Sequence, residues 1–383
     1  MLDYVNRLKK ARARMAEDDI GLMFLPIGAN LSFLTGFRRD EPHSTDVNTF
    51  GDWAMGGFIG PEGNIALTAP RMGSKNYIIK AQDKPWFDSV RVILESEDPL
   101  DVMRQILARF DLRGKKIALD DHAWAQTLLA FRRLLPEAEF VLASTILAPL
   151  RTIKGEAELD LMRRAGQITD AVFQKALARL KPGVTELDVE SEIDYQFRLM
   201  GAEYNSFVTD ISFAKPGDDE NKTGRTSPKK LTSGCSVTFD LGCVYEGYCS
   251  DFGRSAFVGE PPAEYVHIHE IVLRAQHEAM QAMKAGQITA EQANAVARSI
   301  IEAEGYGQYF THRLGHGIGV TVHESPYLDT GQRTVLQAGM TFTVEPSIYI
   351  PNGFQNRVED VVVVTEAGAV SLYTTDHRLY IVE

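Results

Sequence analysis

The chain has 383 residues, too long for one ordinary core, so two domains are the natural reading. Lys plus Arg number 40 against 52 Asp plus Glu, a formal net charge of −12, which leaves no basic stripe for phosphates and argues against nucleic acid as a partner. Hydrophobic residues at 44% and charged ones at 24% fit a packed globular protein rather than a disordered or fibrous one.

The opening stretch MLDYVNRLKKARARMAEDDI mixes both charge signs and holds no apolar segment of signal-peptide length. No later apolar run approaches the roughly 18 residues that span a bilayer. No membrane partner is expected, and a cytoplasmic location is. Cys235, Cys243 and Cys249 show no CxxC spacing and read as packing residues in a reducing compartment.

Up to residue 147, short apolar runs alternate with helical stretches: GLMFLP, FIGPEGNIALTAP with its PEGN turn, VRVILE, DPLDVMRQILARF, KKIALD, AWAQTLLAFRRLLP and AEFVLA. This alternation predicts a small α/β domain over residues 1–147. Inside it, RRDEPHSTDVNTFGDW (38–53) is a long polar loop containing His43, of a length that points to function or mobility.

A second domain is expected over residues 148–383. Leu161, Ala165, Ile168, Val172 and Ala176 lie along one helix face. Val189, Ile193, Phe197 and Met200 form the stripe of the next helix, which Thr185 is placed to cap. Strands and hairpins are expected from about 205 to 258, a helix pair across 263–304, and a glycine-punctuated, strand-rich ending. ALARLKPGVTELDVESEI and AMQAMKAGQITAEQANAV, 103 residues apart at Lys181 and Lys284, both run helix, turn, helix. The domain therefore reads as two related halves, each a helix pair followed by strands.

Four strand-like segments of this domain carry acids where burial is expected. SVTFDLG sets Val237 and Phe239 on one face and Thr238 and Asp240 on the other, and YCSDFGRSAFV carries Asp251. MTFTVEP sets Thr341, Thr343 and Glu345 opposite Phe342 and Val344, and RVEDVVVVTE sets Arg357 and Glu359 beside Val361 and Val363. Buried carboxylates are costly to ionise, so several that converge need cations, and bound metal ions are the simplest supply. Asp360, on the opposite face, reads as an ordinary solvated or salt-bridged acid. In THRLGHGIGVTVHESP, His312, His316 and His323 are interleaved with Gly315, Gly317 and Gly319. Those glycines argue against a helix, hence against a zinc-binding HExxH arrangement, and for a strand or loop in close approach to a site. His267, His269 and His277, among charges on a predicted helix, read as solvated.

The segments FDLGCVYEGYCSDFGRS, HRLGHGIGVTVHE, TFTVEPSIY and NRVEDVVVVTE resemble the metal-ligand segments of the creatinase/prolidase/aminopeptidase P family, the pita-bread (M24) metallopeptidases, and within it most of all the Xaa-Pro dipeptidases. The resemblance covers most of residues 148–383 and extends to LRTIKGEAELDLMRRA. It implies an α+β chain: a small creatinase-type α/β N-terminal domain, then a pita-bread catalytic domain with pseudo-twofold helix pairs on a curved antiparallel sheet. It also implies that Asp240, Asp251, His316, Glu345 and Glu359, spaced by 11, 65, 29 and 14 residues, hold two divalent ions. Asp251 and Glu359 would bridge them.

Oxygen-rich coordination with one imidazole suits Mn²⁺, the expected ion, and also Co²⁺ or Fe²⁺, and it tolerates Zn²⁺. Such a pair lowers the pKa of a shared water and polarises a carbonyl. The activity implied is cleavage of Xaa-Pro dipeptides or short peptides by a metal-bridging hydroxide, with Glu345 also moving the proton. His312 and His323 match family histidines that contact substrate and stabilise the tetrahedral intermediate. Arg357 matches an arginine behind the ligands and is placed to orient Glu359. A homodimer, with the loop around His43 bordering the neighbour's active site, is implied as well.

Two positions depart from the family pattern. A pocket histidine usual 17 residues before the first aspartate is Thr223 here, and no histidine lies between His122 and His267. Threonine can hydrogen-bond a carbonyl but carries no cationic proton at neutral pH. The loss leaves open a second reading, a family enzyme acting on a small non-peptide zwitterion as hydrolase or lyase, ectoine hydrolase being one example. A third, a non-catalytic pita-bread binding protein, fits less well, because such proteins have usually lost ligands. Ser347 stands where glycine is usual and predicts a slightly different turn.

Overall fold

A computed structural model describes residues 2–39, 50–217 and 225–383. His43 and Thr223 lie outside the described residues. The chain divides into two compact units, Met1–Arg151 and Thr152–Glu383.

The first unit is a mixed six-stranded sheet in the order Arg91–Ile93, Ala66–Pro70, Gly56–Ile59, Ile20–Pro26, Lys116–Leu119 and Phe140–Leu142. The PEGN turn closes an antiparallel hairpin between the second and third of these, while Ile20–Pro26 runs parallel to Lys116–Leu119. Phe24, Phe58 and Phe131 form an aromatic centre, with Phe24 4.8 Å from Phe58 and 5.4 Å from Phe131. Asp98 caps the helix Pro99–Leu107 by accepting the Leu100 N–H, and Pro99 pre-sets its first turn.

The second unit repeats one plan twice. Helices Glu156–Arg179 and Glu186–Leu199 precede the strands Asp210–Ala214, Ser236–Leu241 and Phe252–Val258, and helices Ala263–Ala282 and Ala290–Ala303 precede Gly315–Gly317, Thr341–Val344 and Asp360–Thr365. The turns joining the helices are held alike. Gly183 N–H donates to Leu231 O and Leu231 N–H to Val184 O; Gly286 N–H donates to Leu336 O and Leu336 N–H to Ile288 O. Thr185 and Thr289 both cap the following helix with a capping box, closed by Asp188 and Gln292. Phe173 anchors one core against Phe239, Phe252 and Tyr380, at centroid distances of 5.1 to 5.2 Å. The other core packs Ile268, Val272, Ala275 and Ala297 onto Phe342, Val344 and Val362. A backbone bridge between Gly253 and Glu359 joins the two sheets.

The solvated reading of His269 is corrected here. It lies one helical turn beyond buried Tyr265, on the face packed against the sheet. Its ring sits 3.0 Å from His377 O and 3.3 Å from Asn356 Oδ1. His267 and His277 are exposed. Cys235, Cys243 and Cys249 are all buried and free. Among the described residues no helix is long and apolar enough to cross a membrane.

Candidate metal centre

The repeat decides where the acids meet. Asp240 near the end of Ser236–Leu241 and Glu345 just after Thr341–Val344 occupy corresponding places in the two halves, 105 residues apart. So do Asp251 and Glu359, each just before an inner strand. Because the Gly253–Glu359 bridge brings those strand starts together, the four carboxylates converge. Asp240, Asp251 and Glu359 each present an oxygen within 4.8 Å of the others.

Local chemistry fixes each position. Tyr373 donates its hydroxyl to Asp251 O at 2.6 Å and accepts the Asp251 N–H at 2.9 Å, pinning that backbone from both sides. Glu345 N–H donates to Leu314 O, and Thr343 Oγ1 receives the His316 N–H while donating to Glu345 Oε1, each at 2.9 to 3.0 Å. Gly315 permits this packing, since a Cβ there would lie 1.9 Å from Thr343 O. A Cβ on Gly253 would lie 2.9 Å from Glu359 Oε2.

His316 is buried, with Nδ1 3.0 Å from Gly317 O. A carbonyl only accepts, so Nδ1 carries the proton and the Nε2 lone pair is free. That nitrogen faces Glu345 Oε1 at 3.4 Å and Asp251 Oδ2 at 3.5 Å. Burial pushes the ring down to about 3, helped by His323 and opposed by the bond to Gly317. A neutral imidazole with its lone pair facing carboxylates has the chemistry to hold a cation.

The acids carry the matching signature. Burial drives the Asp251 and Glu359 carboxyls well above the ordinary range; neighbouring carboxylates add to it, and Arg357 opposes it. Glu345 is pushed up to about 7 by burial, against the pull of Arg357. Glu359 Oε2 is buried without a hydrogen bond, its contact with Arg357 at 3.2 Å being an ion pair. Arg357 sits closest to Asp240, 3.2 Å from Glu359 and 4.0 Å from Glu345, and Arg313 also acts on Glu345. Two guanidinium groups cannot neutralise four carboxylates, and oxygen donors with one imidazole fit hard or borderline divalent ions.

These groups line a cavity of about 320 Å³. All eight residues singled out from the sequence border it: Asp240, Asp251, His312, His316, His323, Glu345, Arg357 and Glu359, together with Phe207, Arg313, Val322 and Tyr349. His323 is exposed at the rim, its ring edge-on to His316 at 4.2 Å. Arg357 and Glu359 do not share one strand, as the alternation suggested. Gln355–Arg357 pairs with Ser347–Tyr349, and a new strand starts at Asp360.

Three contributors escaped the sequence reading. Asp210 stands opposite Asp240 in the adjacent strand, and burial and Asp240 raise its carboxyl; the acid opening DISFA was its only signal. Tyr373 and Tyr349 acquire their places through contacts that a single sequence does not announce.

Known proteins resemble this chain over nearly its whole length. Residues 160–366 match metallopeptidase family M24, and residues 7–153 match the creatinase/prolidase N-terminal domain. The Xaa-Pro dipeptidase of Lactobacillus helveticus is 32% identical over 380 residues, covering 96% of both chains. The crystal structure of a prolidase from Thermococcus sibiricus matches all of both chains with a TM-score of 0.88 at 31% identity. An X-Pro aminopeptidase from Thermotoga maritima matches 98% of this chain and 99% of its own, with a TM-score of 0.83 at 27% identity. Fold and likeness together define a metal-dependent peptidase built as an α/β domain followed by a pita-bread domain. The chain belongs to metallopeptidase family M24.

Proposed function

We propose that this protein hydrolyses Xaa-Pro dipeptides or short Xaa-Pro peptides with two divalent ions held by Asp240, Asp251, His316, Glu345 and Glu359. The observation that carries the reading is the meeting of four carboxylates and one lone-pair imidazole in a single cavity, with Arg357 and Arg313 as the guanidinium groups of its lining. Asp251 and Glu359, one from each half, would be the carboxylates shared between the two ions. Mn²⁺ is the favoured metal for this donor set, with Co²⁺, Fe²⁺ and Zn²⁺ as substitutes. When bound, the ions acidify a water and polarise the scissile carbonyl.

The chain's own groups do the rest. Glu345, a carboxylate inside the cavity, would accept a proton from the attacking water and pass it to the leaving nitrogen. Arg357 braces the carboxylates of Asp240 and Glu359. His323, exposed at the rim, is free to meet the substrate, and His312 lines the same cavity. The similar proteins named as Xaa-Pro dipeptidase and prolidase support the substrate class. A homodimer belongs to the same reading, with the loop around His43 at the neighbouring site.

The absence of any histidine between His122 and His267 favours one alternative, a small zwitterion in place of a peptide. The test is a panel of Xaa-Pro dipeptides, Xaa-Pro tripeptides, cyclic amino acids and amidines, run with Mn²⁺, Co²⁺ and Zn²⁺ in turn. Cleavage of Xaa-Pro bonds supports the proposal. Turnover confined to the small zwitterions would replace it.

A further inference from the structure

Ser347 stands where glycine was expected, and the structure gives its hydroxyl a partner. The residue is fully buried at the start of the strand Ser347–Tyr349, paired with Arg357. Its Oγ lies 2.6 Å from His312 Nε2, while His312 Nδ1 lies 2.7 Å from Arg313 O.

The proton positions follow by elimination. A carbonyl oxygen can only accept, so Nδ1 carries the hydrogen. A neutral imidazole has one such hydrogen, so Nε2 offers a lone pair, and the serine must donate to it. The neutral form is the one present, since burial pushes this ring down to about 4, with Arg357, Arg313 and Arg298 adding to the effect and only the Arg313 carbonyl opposing it. Arg298 clamps the same segment by donating to Phe310 O at 2.9 Å and to His312 O at 2.8 Å.

We propose that Ser347 is a positioning residue that locks His312 as the Nδ1-protonated tautomer with both ring nitrogens engaged inside the protein, so that His312 presents no N–H to a ligand in the cleft. A glycine at 347 would leave Nε2 open. His312 and His323, the cavity histidines outside the proposed ligand set, are thereby made unequal: His312 shapes the wall through ring packing against Phe310 and Tyr349, at 5.1 and 6.3 Å, whereas neither ring nitrogen of His323 is hydrogen-bonded among the described residues.

The test is a long-range ¹H–¹⁵N correlation spectrum of the full chain labelled at histidine, metal-free and zinc-loaded, for wild type, Ser347→Ala and Ser347→Thr. His312 is expected as a neutral ring protonated at Nδ1. Ser347→Ala should move its Nε2 resonance downfield, as a lone pair does on losing a donor, and Ser347→Thr should keep it in place. Ser347→Gly serves if the alanine chain does not fold. Kinetics rest on the peptidase reading: with Ala-Pro as substrate, Ser347→Ala should raise KM about two- to tenfold, the worth of one hydrogen bond, with kcat held within about twofold. A ring protonated at Nε2, or an Nε2 resonance indifferent to loss of the hydroxyl, overturns the proposal. A wild type inert toward Ala-Pro would instead count against the peptidase reading, and the spectra would still judge Ser347.

Discussion

Replacing Arg254 by Met would strike the unit from behind the candidate centre. Arg254 and Asp360 form an ion pair of 2.8 Å with both side chains at 0% exposure. The guanidinium also donates to the carbonyls of Gly253 and Glu359 at 2.8 Å and of Thr375 and Asp376 at 3.0 Å. Removing one partner of a buried pair costs about 3–5 kcal/mol, because the other charge is left in a medium that cannot solvate it. Four carbonyls lose a donor as well, so the upper end applies. At about 2–4 °C per kcal/mol for a unit of this size, the transition of residues 152–383 should fall by about 10–20 °C in calorimetry.

Acid provides the second readout. Burial alone would raise the Asp360 carboxyl, yet Arg254 and the His377 hydrogen bond outweigh it and hold the group far below its usual range. A depressed carboxyl contributes stability above its unfolded value near 4, and loses it as pH falls toward the folded one. Wild type should therefore weaken steeply below about pH 4, and Arg254→Met less so. The double variant Arg254→Met/Asp360→Asn should recover part of the loss, since no bare charge remains. A single variant melting within about 2 °C of wild type, or a double variant no better than the single, would refute the reasoning.

Other perturbations probe the centre itself. Asp251→Asn should abolish uptake of one or both divalent ions by metal analysis and lower kcat/KM by at least about 10²-fold. In protein stripped of metal, Glu345 near 7 and the raised Asp251 and Glu359 contribute stability at acid pH that is lost as pH rises through those values. The stripped protein should thus melt several degrees lower at pH 8 than at pH 5.5, and added Mn²⁺ should reverse the order; a flat profile counts against the carboxylate cluster. Calorimetric titration with Mn²⁺ near pH 6.5 should release protons, seen as heats that depend on the buffer. Lys154→Met would leave the Glu324 carboxylate without its ammonium 3.4 Å away, in a buried pair beside His323. A loss of about 3 kcal/mol is expected, with a lower kcat than the stability change alone explains.

Much of this was legible before any coordinates. Apolar runs of four to seven residues marked the strands Ile20–Pro26, Gly56–Ile59 and Ala66–Pro70 because these are buried on both faces. Thr185 was a visible cap because its partner Asp188 is three residues away. The acids of the centre stood out because a carboxylate within an apolar strand demands a cause. Long-range partnerships were silent. Nothing near His269 announces that Asn356 and the His377 carbonyl will enclose it, and nothing near Arg254 announces Asp360. The hydroxyl of Ser347 reads as a turn variant until His312, 35 residues earlier, is found against it. Alternation also misled at Arg357 and Glu359, where one strand ends and another begins.

The bridge between Gly253 and Glu359 stitches the two halves backbone to backbone, beside the cluster of carboxylates. Each half brings two acids to that seam, so docking one half on the other works against a like-charge repulsion that neither would feel alone. An isolated half would escape that penalty and would also be unable to chelate. On the proposed function, ion capture is an emergent property of juxtaposed copies, available once two similar stretches of sequence share a single chain.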